Sequence, residues 1–149
     1  PIGQVRRALQ ALSGILASGC VAQSPLYRTA PVGDPSGQPD YINAVAALDT
    51  GLTPQQLLMA LQTLELAQGR TRNVRWGART LDLDLLLYDQ LTSDDPRLTL
   101  PHPRLHERAF VLYPLCDIAP HLMIPGHGPL TELLARCPPQ AIARLDSSD

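Results

Sequence analysis

Lysine is the residue type that this sequence lacks altogether, since all 12 of its basic residues are arginines. Without lysine the chain cannot contain a GxxxxGK[ST] loop, so nucleotide chemistry of the P-loop type is excluded. Any phosphate groups would have to be bound by metal ions and by arginines, whose guanidinium groups can contact two phosphate oxygens at once.

The chain also has few aromatic residues, no excess of basic charge and no long apolar run. No apolar stretch approaches the roughly 20 residues that span a bilayer, so we expect no membrane partner. A nucleic-acid-binding sheet needs exposed aromatic residues and a basic face, whereas this chain is 4% aromatic with a net charge of −2. We therefore expect no nucleic acid partner.

Cysteines are few as well. Cys20, Cys116 and Cys137 are odd in number and lack the spacing of metal ligands, so free thiols in a reducing compartment are the simpler interpretation. The first ten residues do not have the pattern of a signal peptide, and we expect a cytoplasmic protein. A chain of this length usually forms one core, which predicts a single domain over residues 1–149.

Hydrophobic spacing and turn residues divide the chain into helices and strands. We predict helices over residues 4–18, from a Thr53–Gln56 capping box to about residue 67, near Pro103, over 109–117 and over 130–137. Extended segments or strands are predicted over 20–30, 41–49, 81–88 and 97–100, with loops over 30–39 and 68–79. This order predicts an α+β fold, a ferredoxin-like sandwich with an antiparallel sheet whose first strand is absent.

The absent strand matters because it is usually central in this topology. Its two neighbours would be left with unpaired backbone groups, which are costly when they are buried. Either a stretch that precedes these residues supplies the strand or another segment fills the gap, and we favour the first interpretation.

The strongest chemical signal lies in residues 76–84, WGARTLDLD. Alternation along a strand would turn the leucines at 81, 83, 85 and 87 into a core and place Asp82 and Asp84 on the other face, roughly 7 Å apart. Two carboxylates on one face repel each other unless a cation lies between them, and Mg²⁺ binds carboxylates together with phosphate oxygens. The alternative is a pair of solvated aspartates on an exposed sheet face.

Arginines surround this pair of aspartates. Guanidinium groups beside paired carboxylates suit a magnesium polyphosphate, because metal ions take the bridging oxygens and arginines take the others. The simpler alternative is a solvated charged loop that makes weak ion pairs with Asp82, Asp84 and Glu65. The arginines between positions 70 and 108 are Arg70, Arg72, Arg75, Arg79, Arg97, Arg104 and Arg108.

Five blocks of this sequence resemble, in order and spacing, the 6-hydroxymethyl-7,8-dihydropterin pyrophosphokinase family. They are YRT at 27–29, PDYIN at 39–43, ELAQGR at 65–70, RWGARTLDLD at 75–84, and residues 101–110 from Pro101-His102 to Arg108-Ala109-Phe110. The resemblance covers nearly the whole chain, and the RWG-x-RTLDLD block is highly specific. It implies transfer of a pyrophosphoryl group from Mg-ATP to the hydroxymethyl group of a reduced pterin, with AMP leaving, in folate biosynthesis.

The resemblance also implies roles for individual residues; as a separate expectation, we predict a monomer. Asp82 and Asp84 match aspartates that hold two Mg²⁺ ions, and with Arg70 and Arg79 they form the implied catalytic set. The implied ATP contacts are Gln62, Glu65, Arg70, Arg72, Trp76, Arg79, Leu85, Arg97, Thr99, His102 and Arg108. The implied pterin contacts are Thr29, Ala30, Val32, Tyr41, Asn43, Trp76, Asp82 and Phe110.

A flat pterin ring with a polar edge requires apolar faces to stack on and hydrogen-bond partners at its rim. Phe110, the single phenylalanine, could supply one face with Tyr41, and the amide of Asn43 could bind the ring edge. Phe110 is equally consistent with a core residue. Tyr41 and Asn43 are two positions apart in a predicted strand, so they share a face.

The sequence departs from the family's pattern in three places. The family's first strand and the Gly-Ser-Asn turn that follows it do not occur in this sequence, so pterin contacts from that turn cannot be assigned. Ala30 stands where many members have proline, and the loop between Arg72 and Trp76 is about one residue shorter than in some relatives. No residue stands out as a general base, because His102 matches a nucleotide contact.

A zinc hydrolase is the alternative enzyme class that the histidines permit. His102 and His106 are four residues apart, with Glu107 or Asp84 to assist, and this spacing allows shared coordination from a helix. Pro103 interrupts the start of such a helix, and no third strong ligand is evident. The pyrophosphokinase interpretation is therefore preferred.

Overall fold

The computed structural model of the chain describes residues 2–29, 41–70, 81–138 and 140–145, and in the second range it describes side chains as far as Gln68. The helices are α1 (Ile2–Leu12), α2 (Pro54–Arg70), α3 (Ala109–Ile118) and α4 (Leu130–Arg136), with a 3-10 helix at Leu105–Glu107. The strands are β1 (Ser18–Gln23), β2 (Tyr27–Thr29), β3 (Tyr41–Asn43), β4 (Ala46–Thr50), β5 (Ser93–Asp95), β6 (Leu98–Leu100), β7 (Met123–Ile124), β8 (Gly128–Pro129) and β9 (Ile142–Arg144). The predicted α+β class is confirmed.

The first helix, α1, is amphipathic, and its buried residues recur at every fourth position. Gln4, Ala8 and Leu12 lie on one face, as the geometry of a helix requires. The sequence predicts a helix as far as residue 18, but the helix ends at Leu12. A turn follows it, in which Ala17 has a φ of 56°, a conformation that a right-handed helix does not contain.

The second helix, α2, begins with the capping box that the sequence predicts. The Gln56 N–H donates to Thr53 Oγ1 at 3.2 Å, and the Thr53 N–H donates to Gln56 Oε1 at 2.9 Å. These bonds satisfy backbone donors that a helix start otherwise leaves without partners. Leu57 and Leu61 are buried one turn apart, and the helix continues beyond its predicted end to Arg70.

Strand pairing in the described residues is antiparallel and is divided among small sheets. β1 pairs with β4, β2 lies between β3 and β9, β5 pairs with β6, and β7 pairs with β8. The single strand predicted over residues 41–49 is divided between β3 and β4. At the break, the Val45 N–H donates to Ser24 Oγ at 2.9 Å, and the Val45 carbonyl accepts from the Ser24 N–H at 2.8 Å.

The prediction of a strand over residues 81–88 is wrong. These residues form no ladder with any strand in the part of the chain that the structure describes. Leu81 and Leu83 are nevertheless half-buried while Asp82 and Asp84 are exposed, which retains the two-residue period of a strand. A ladder needs a neighbouring strand, and the leucine pattern alone does not provide one.

Two hydrophobic clusters form the core, and residues 83–88 lie between them. Leu83 and Leu85 pack against the second cluster, and Leu86 and Leu87 pack against the first. The buried members of the first core cluster are Val45, Leu105, Val111, Leu112, Leu115, Ile124, Leu130 and Leu133. Those of the second core cluster are Leu12, Ile15, Leu57 and Leu61. The segment that carries the two aspartates is therefore anchored on both sides by its leucines.

The carboxy-terminal third is mostly helical, as predicted. The helices predicted over 109–117 and 130–137 are confirmed as α3 and α4. The helix predicted near Pro103 is wrong in type, since the chain there forms only the 3-10 turn Leu105–Glu107. The sequence did not predict β5, the β7–β8 hairpin or β9; Gly126 and Gly128 give the hairpin its turn with φ values of 78° and 91°.

Two expectations from composition can be compared with the structure. The thiols of Cys20, Cys116 and Cys137 are free, as their odd number and spacing predict. Among the helices that the structure describes, none combines the length and the apolar sequence that crossing a bilayer requires.

Candidate active site

A cavity of about 1200 Å³, called the cleft below, is lined mainly by one face of α1, by residues 41–50 and by residues 81–90. It brings together five of the predicted site residues: Tyr41, Asn43, Asp82, Asp84 and Leu85. Its volume exceeds the roughly 300–1000 Å³ of a typical pocket for one small molecule. The cleft is therefore the candidate site, although its size is more than a single pterin requires.

The two aspartates expose their side chains on the wall of the cleft. Partial desolvation raises the pKa of Asp82, and the negative charge of Asp84 raises it further. Removal of water and a like charge both disfavour ionisation, and a bound divalent cation would offset both effects. The pair of carboxylates therefore has the electrostatic character of an oxygen-donor cation site.

The donor atoms fit Mg²⁺ better than zinc. Carboxylate oxygens are ligands that Mg²⁺ takes together with phosphate oxygens and water. No group of three or more His, Cys, Asp or Glu side chains suited to a metal ion occurs within the described ranges. His106, proposed above as a zinc ligand beside His102, instead stacks on the ring of His127 with their centroids 4.5 Å apart. The described residues give no support to the zinc hydrolase alternative.

Two backbone hydrogen bonds hold the segment that carries the aspartates. The Leu83 N–H, between Asp82 and Asp84, donates to Glu65 Oε2 on α2 at 2.6 Å. The Leu86 carbonyl accepts from the His102 N–H at 2.8 Å. Glu65 and His102, both implied ATP contacts, are thus connected directly to the backbone around the aspartates.

His102 is half-buried beside the carboxy-terminal half of this segment. Desolvation lowers the pKa of His102; Asp84 acts in the opposite direction, and the positive charges of Arg108 and Arg104 lower it further. The Arg104 N–H lies 3.3 Å from His102 Nδ1, which therefore accepts a hydrogen bond and leaves Nε2 to carry the proton of the neutral ring. The structure thus brings His102, Asp84 and Arg108 into one electrostatic environment.

Arg104 belongs to the group of arginines near the aspartates in sequence, but it is not among the individual contacts that the resemblance implies. Its backbone N–H determines which His102 nitrogen accepts, and its charge acts on the same ring. One sequence feature could have indicated this contact: Arg104 lies two residues after His102 in the turn PHPR, where a backbone N–H can donate to the side chain two residues earlier.

The predicted pterin contacts on β2 and β3 are adjacent. The pairing of β2 with β3 places Thr29 opposite Tyr41. Asn43 Nδ2 donates to Thr29 Oγ1 at 3.2 Å, so the amide is held in a defined orientation. Tyr41 and Asn43 are two positions apart in β3 and therefore share a face of the strand, and both line the cleft.

Phe110 packs against the first core cluster and does not line the cleft. The Arg108 guanidinium lies over its ring, 5.4 Å from the centroid, which is within the range of a cation–π contact. The ring therefore contacts both the Arg108 guanidinium and the first core cluster.

Six of the implied ATP contacts whose side chains the structure describes lie outside the cleft lining: Glu65, His102 and Arg108, described above, and Arg97, Thr99 and Gln62. Arg97 is almost fully exposed, and its guanidinium lies 3.6 Å from Asp95 Oδ1. Thr99 Oγ1, on β6, donates to the Asp95 carbonyl at 3.0 Å. Gln62 is exposed on α2.

The remaining predicted site residues lie outside the part of the chain that the structure describes. Arg70 is the last residue of α2, but its side chain is not among those described. The others are Ala30, Val32, Arg72, Trp76 and Arg79. Their implied roles stay predictions.

Comparison with known proteins adds an independent observation. A family model described as 7,8-dihydro-6-hydroxymethylpterin-pyrophosphokinase matches residues 1–120. The chain is 52% identical over 145 residues to the 2-amino-4-hydroxy-6-hydroxymethyldihydropteridine pyrophosphokinase of Pseudomonas aeruginosa, an alignment that covers 97% of this chain and 89% of that protein. The enzyme of the same name from Haemophilus influenzae is 46% identical over 134 residues, covering 90% of this chain and 83% of the relative.

A third relative of the same name, from Methylorubrum extorquens, is 47% identical over 126 residues, which cover 85% of this chain and 78% of that protein. The family match includes both aspartates and every predicted site residue, all of which lie between positions 29 and 110. The chain therefore belongs to the 7,8-dihydro-6-hydroxymethylpterin-pyrophosphokinase family.

Proposed function

We propose that the cleft binds the pterin beside the two aspartates and that ATP approaches from the side of His102 and Arg108. As a member of this family, the chain transfers pyrophosphate from ATP to 6-hydroxymethyl-7,8-dihydropterin, giving AMP and the pterin diphosphate ester, in folate biosynthesis. The observation that carries the proposed geometry is that the cleft combines exposed Asp82 and Asp84 with Tyr41 and Asn43.

Two Mg²⁺ ions are the proposed metal cofactors, and Asp82 and Asp84 are their proposed ligands. When bound, they would neutralise phosphate charge and help to align the reacting oxygens. The raised pKa of Asp82 supports this assignment, because a cation favours the ionised carboxyl that its neighbour disfavours. The Glu65 and His102 hydrogen bonds keep the backbone of both ligands in place.

The pterin is proposed to lie against Tyr41 with its polar edge towards Asn43. Asn43 gives one amide N–H to Thr29 and keeps an acceptor oxygen and a second N–H for a ligand. Tyr41 lines the cleft with 41% of its surface exposed. The family resemblance alone assigns the remaining pterin contacts: Phe110, which packs against the first core cluster and does not line the cleft, and Ala30, Val32 and Trp76, which lie outside the described residues.

Charge neutralisation on the nucleotide side is assigned to arginines. Arg108, stacked on Phe110, supplies a fixed positive charge near His102 and Asp84. The family resemblance assigns Arg70 and Arg79 to catalysis and Arg72, Trp76, Gln62, Leu85, Arg97 and Thr99 to ATP. Transfer of this type depends mainly on alignment and charge neutralisation. The hydroxymethyl oxygen attacks the β-phosphorus and AMP departs, and we assign no general base.

The proposed architecture is a single ferredoxin-like domain whose first strand is not among the described residues. Two observations support it: β4 pairs only with β1 among the described strands, and residues 81–88 have no strand partner there, while the cleft lies between them. Gln4 gives further support. It is buried and lines the cleft, and its Nε2 has no hydrogen-bond partner among the described residues. A strand between the two walls would supply hydrogen-bond partners for the backbone of β4, for the backbone of residues 81–88 and for Gln4 Nε2.

The chain is proposed to act as a monomer in the cytoplasm. Both walls of the cleft come from one chain, so the proposed substrate contacts do not need a second copy. The free thiols are consistent with a reducing compartment.

The test is pterin-dependent AMP formation by Asp84→Ala, with Asp94→Ala as the matched control. Asp94 is an exposed aspartate on β5 that does not line the cleft, so the control removes the same charge. We expect Asp84→Ala to lose Mg²⁺-dependent turnover while both variants retain the wild-type unfolding midpoint. Near-normal turnover in a folded Asp84→Ala variant would refute the metal assignment.

A further inference from the structure

The hydrogen bond between Glu65 and Leu83 joins α2 to the backbone between the two aspartates. The Leu83 N–H lies 2.6 Å from Glu65 Oε2 in a partly buried setting. An ionised carboxylate can only accept hydrogen bonds, and a bond of this length to a charged acceptor is stronger than a neutral one. Glu65 thus holds one of the two peptide groups that lie between the proposed metal ligands.

The position of Glu65 follows from the packing of α2. Leu61, one turn earlier on the same helix face, is buried in the second core cluster. Leu83 packs against the same cluster. The hydrophobic contacts bring the helix and the segment together, and the Glu65 carboxylate then accepts from the Leu83 N–H, which no described strand pairs with.

The orientation of the aspartates depends on this contact. No strand ladder fixes residues 81–88 among the described strands, so side-chain bonds must do part of that work. On the other flank, the Leu86 carbonyl is held by the His102 N–H at 2.8 Å. The two bonds together span Asp84 and leave both carboxylates exposed towards the cleft.

We propose that Glu65 is a positioning residue, which acts on the reaction by holding the Asp82–Asp84 backbone rather than by contacting ATP. This inference rests on the proposed function of the two aspartates as cation ligands. It differs from the implied ATP contact, because a positioning residue changes the response to Mg²⁺ and the turnover number, whereas an ATP contact changes nucleotide affinity.

The experiment compares Glu65→Ala and Glu65→Gln with wild type and with Glu132→Ala, a control on exposed α4 surface. Turnover, the Mg²⁺ concentration for half-maximal turnover, and the Kd for an ATP analogue in the absence of turnover are measured. We expect Glu65→Ala to lower kcat roughly ten- to hundredfold, the size of a lost hydrogen bond to a charged group, and to raise the Mg²⁺ requirement. The Kd for the ATP analogue should change less than about twofold.

Glu65→Gln provides the rescue. Its amide oxygen can still accept from the Leu83 N–H, so most of the turnover lost in the alanine variant should return. Equal losses in both variants together with weaker ATP binding would overturn the positioning role in favour of a nucleotide contact. Unchanged turnover and Mg²⁺ response in Glu65→Ala would overturn it as well.

Unfolding midpoints of all variants separate a folding defect from a local one. If Glu65→Ala and Glu65→Gln lose the same amount of kcat and both unfold at a lower midpoint than wild type, the role of Glu65 is merely structural. That result would overturn the inference. Asp84→Ala is run in parallel. If it loses turnover while Glu65→Ala keeps it, only the inference about Glu65 fails; if Asp84→Ala keeps turnover, the proposed function fails.

Discussion

Tyr27→Phe tests how β2, the strand that carries the proposed pterin contact Thr29, is anchored. Tyr27 begins β2, opposite Asn43 on β3 and two residues before Thr29. It is 6% exposed, and its hydroxyl donates to Asp117 Oδ2 on α3. Removing only the hydroxyl leaves the ring in place, so the variant isolates this hydrogen bond.

The magnitude at neutral pH follows from the type of acceptor. A hydrogen bond to a charged group stabilises a protein by about 1.5–3 kcal/mol. Asp117 keeps a second partner in the variant, since Arg144 Nη1 lies 3.7 Å from its Oδ1. The carboxylate is therefore not left alone, and we expect a loss near the lower end, about 1.5–2 kcal/mol.

The same residue predicts an alkaline loss of stability. Desolvation by burial, followed by the hydrogen bond and the negative charge of Asp117, raises the pKa of Tyr27 from 10.0 to about 12. A group whose pKa is higher in the folded state stabilises that state fully below pH 10. This contribution falls as the pH rises from 10 to about 12, where only the unfolded state has lost the proton, and its total is about 2.7 kcal/mol.

Urea unfolding at pH 7 and at several values between pH 9 and 12 measures both effects. Tyr113→Phe, at an exposed position on α3, is the matched control and should change stability by less than about 0.5 kcal/mol. Tyr27→Phe should lose stability at pH 7 and show a shallower alkaline decline than wild type. Equal stability at pH 7, or an alkaline decline as steep as that of wild type, would refute the anchoring role.

Two further predictions concern the substrate site and the core. In steady-state assays, Asn43→Ala should raise KM for the pterin at least tenfold and leave KM for ATP within about twofold. The reason is that the Asn43 amide faces the proposed pterin position. Parallel rises in both constants would contradict this prediction. Leu112→Ala should lower the free energy of unfolding by about 2–5 kcal/mol in urea titrations, because Leu112 is 0% exposed in the first core cluster. A loss below about 1 kcal/mol would contradict this, because it would mean that the surrounding core closes the cavity left by the missing side chain.

Local features of the chain could be predicted from the sequence because they depend on residues close together. The capping box needs only Thr53 and Gln56, three positions apart, and the structure forms both of its bonds. The helices α3 and α4 follow from apolar spacing alone. Asp82 and Asp84 were identified by their spacing, and their exposure in the structure agrees with it.

Features that depend on distant neighbours were not predictable in the same way. The leucine alternation of residues 81–88 is typical of a strand, but no strand lies beside them in the described residues, so no ladder forms. The division of 41–49 at Val45 results from two bonds to Ser24, which is 21 residues away along the chain. Neither the lack of a described strand beside residues 81–88 nor the pairing of Val45 with Ser24 could be predicted from the local sequence pattern.

The sequence by itself indicated the candidate site residues and where α2, α3 and α4 form, since short-range spacing and capping require no knowledge of the fold. Only the tertiary structure decided that Glu65 meets the Leu83 N–H, that Asn43 is held by Thr29, and that residues 81–88 depend on side-chain contacts. The physical reason is that hydrogen bonds between distant segments are set by how helices and strands pack on a shared core, which sequence separation alone does not encode.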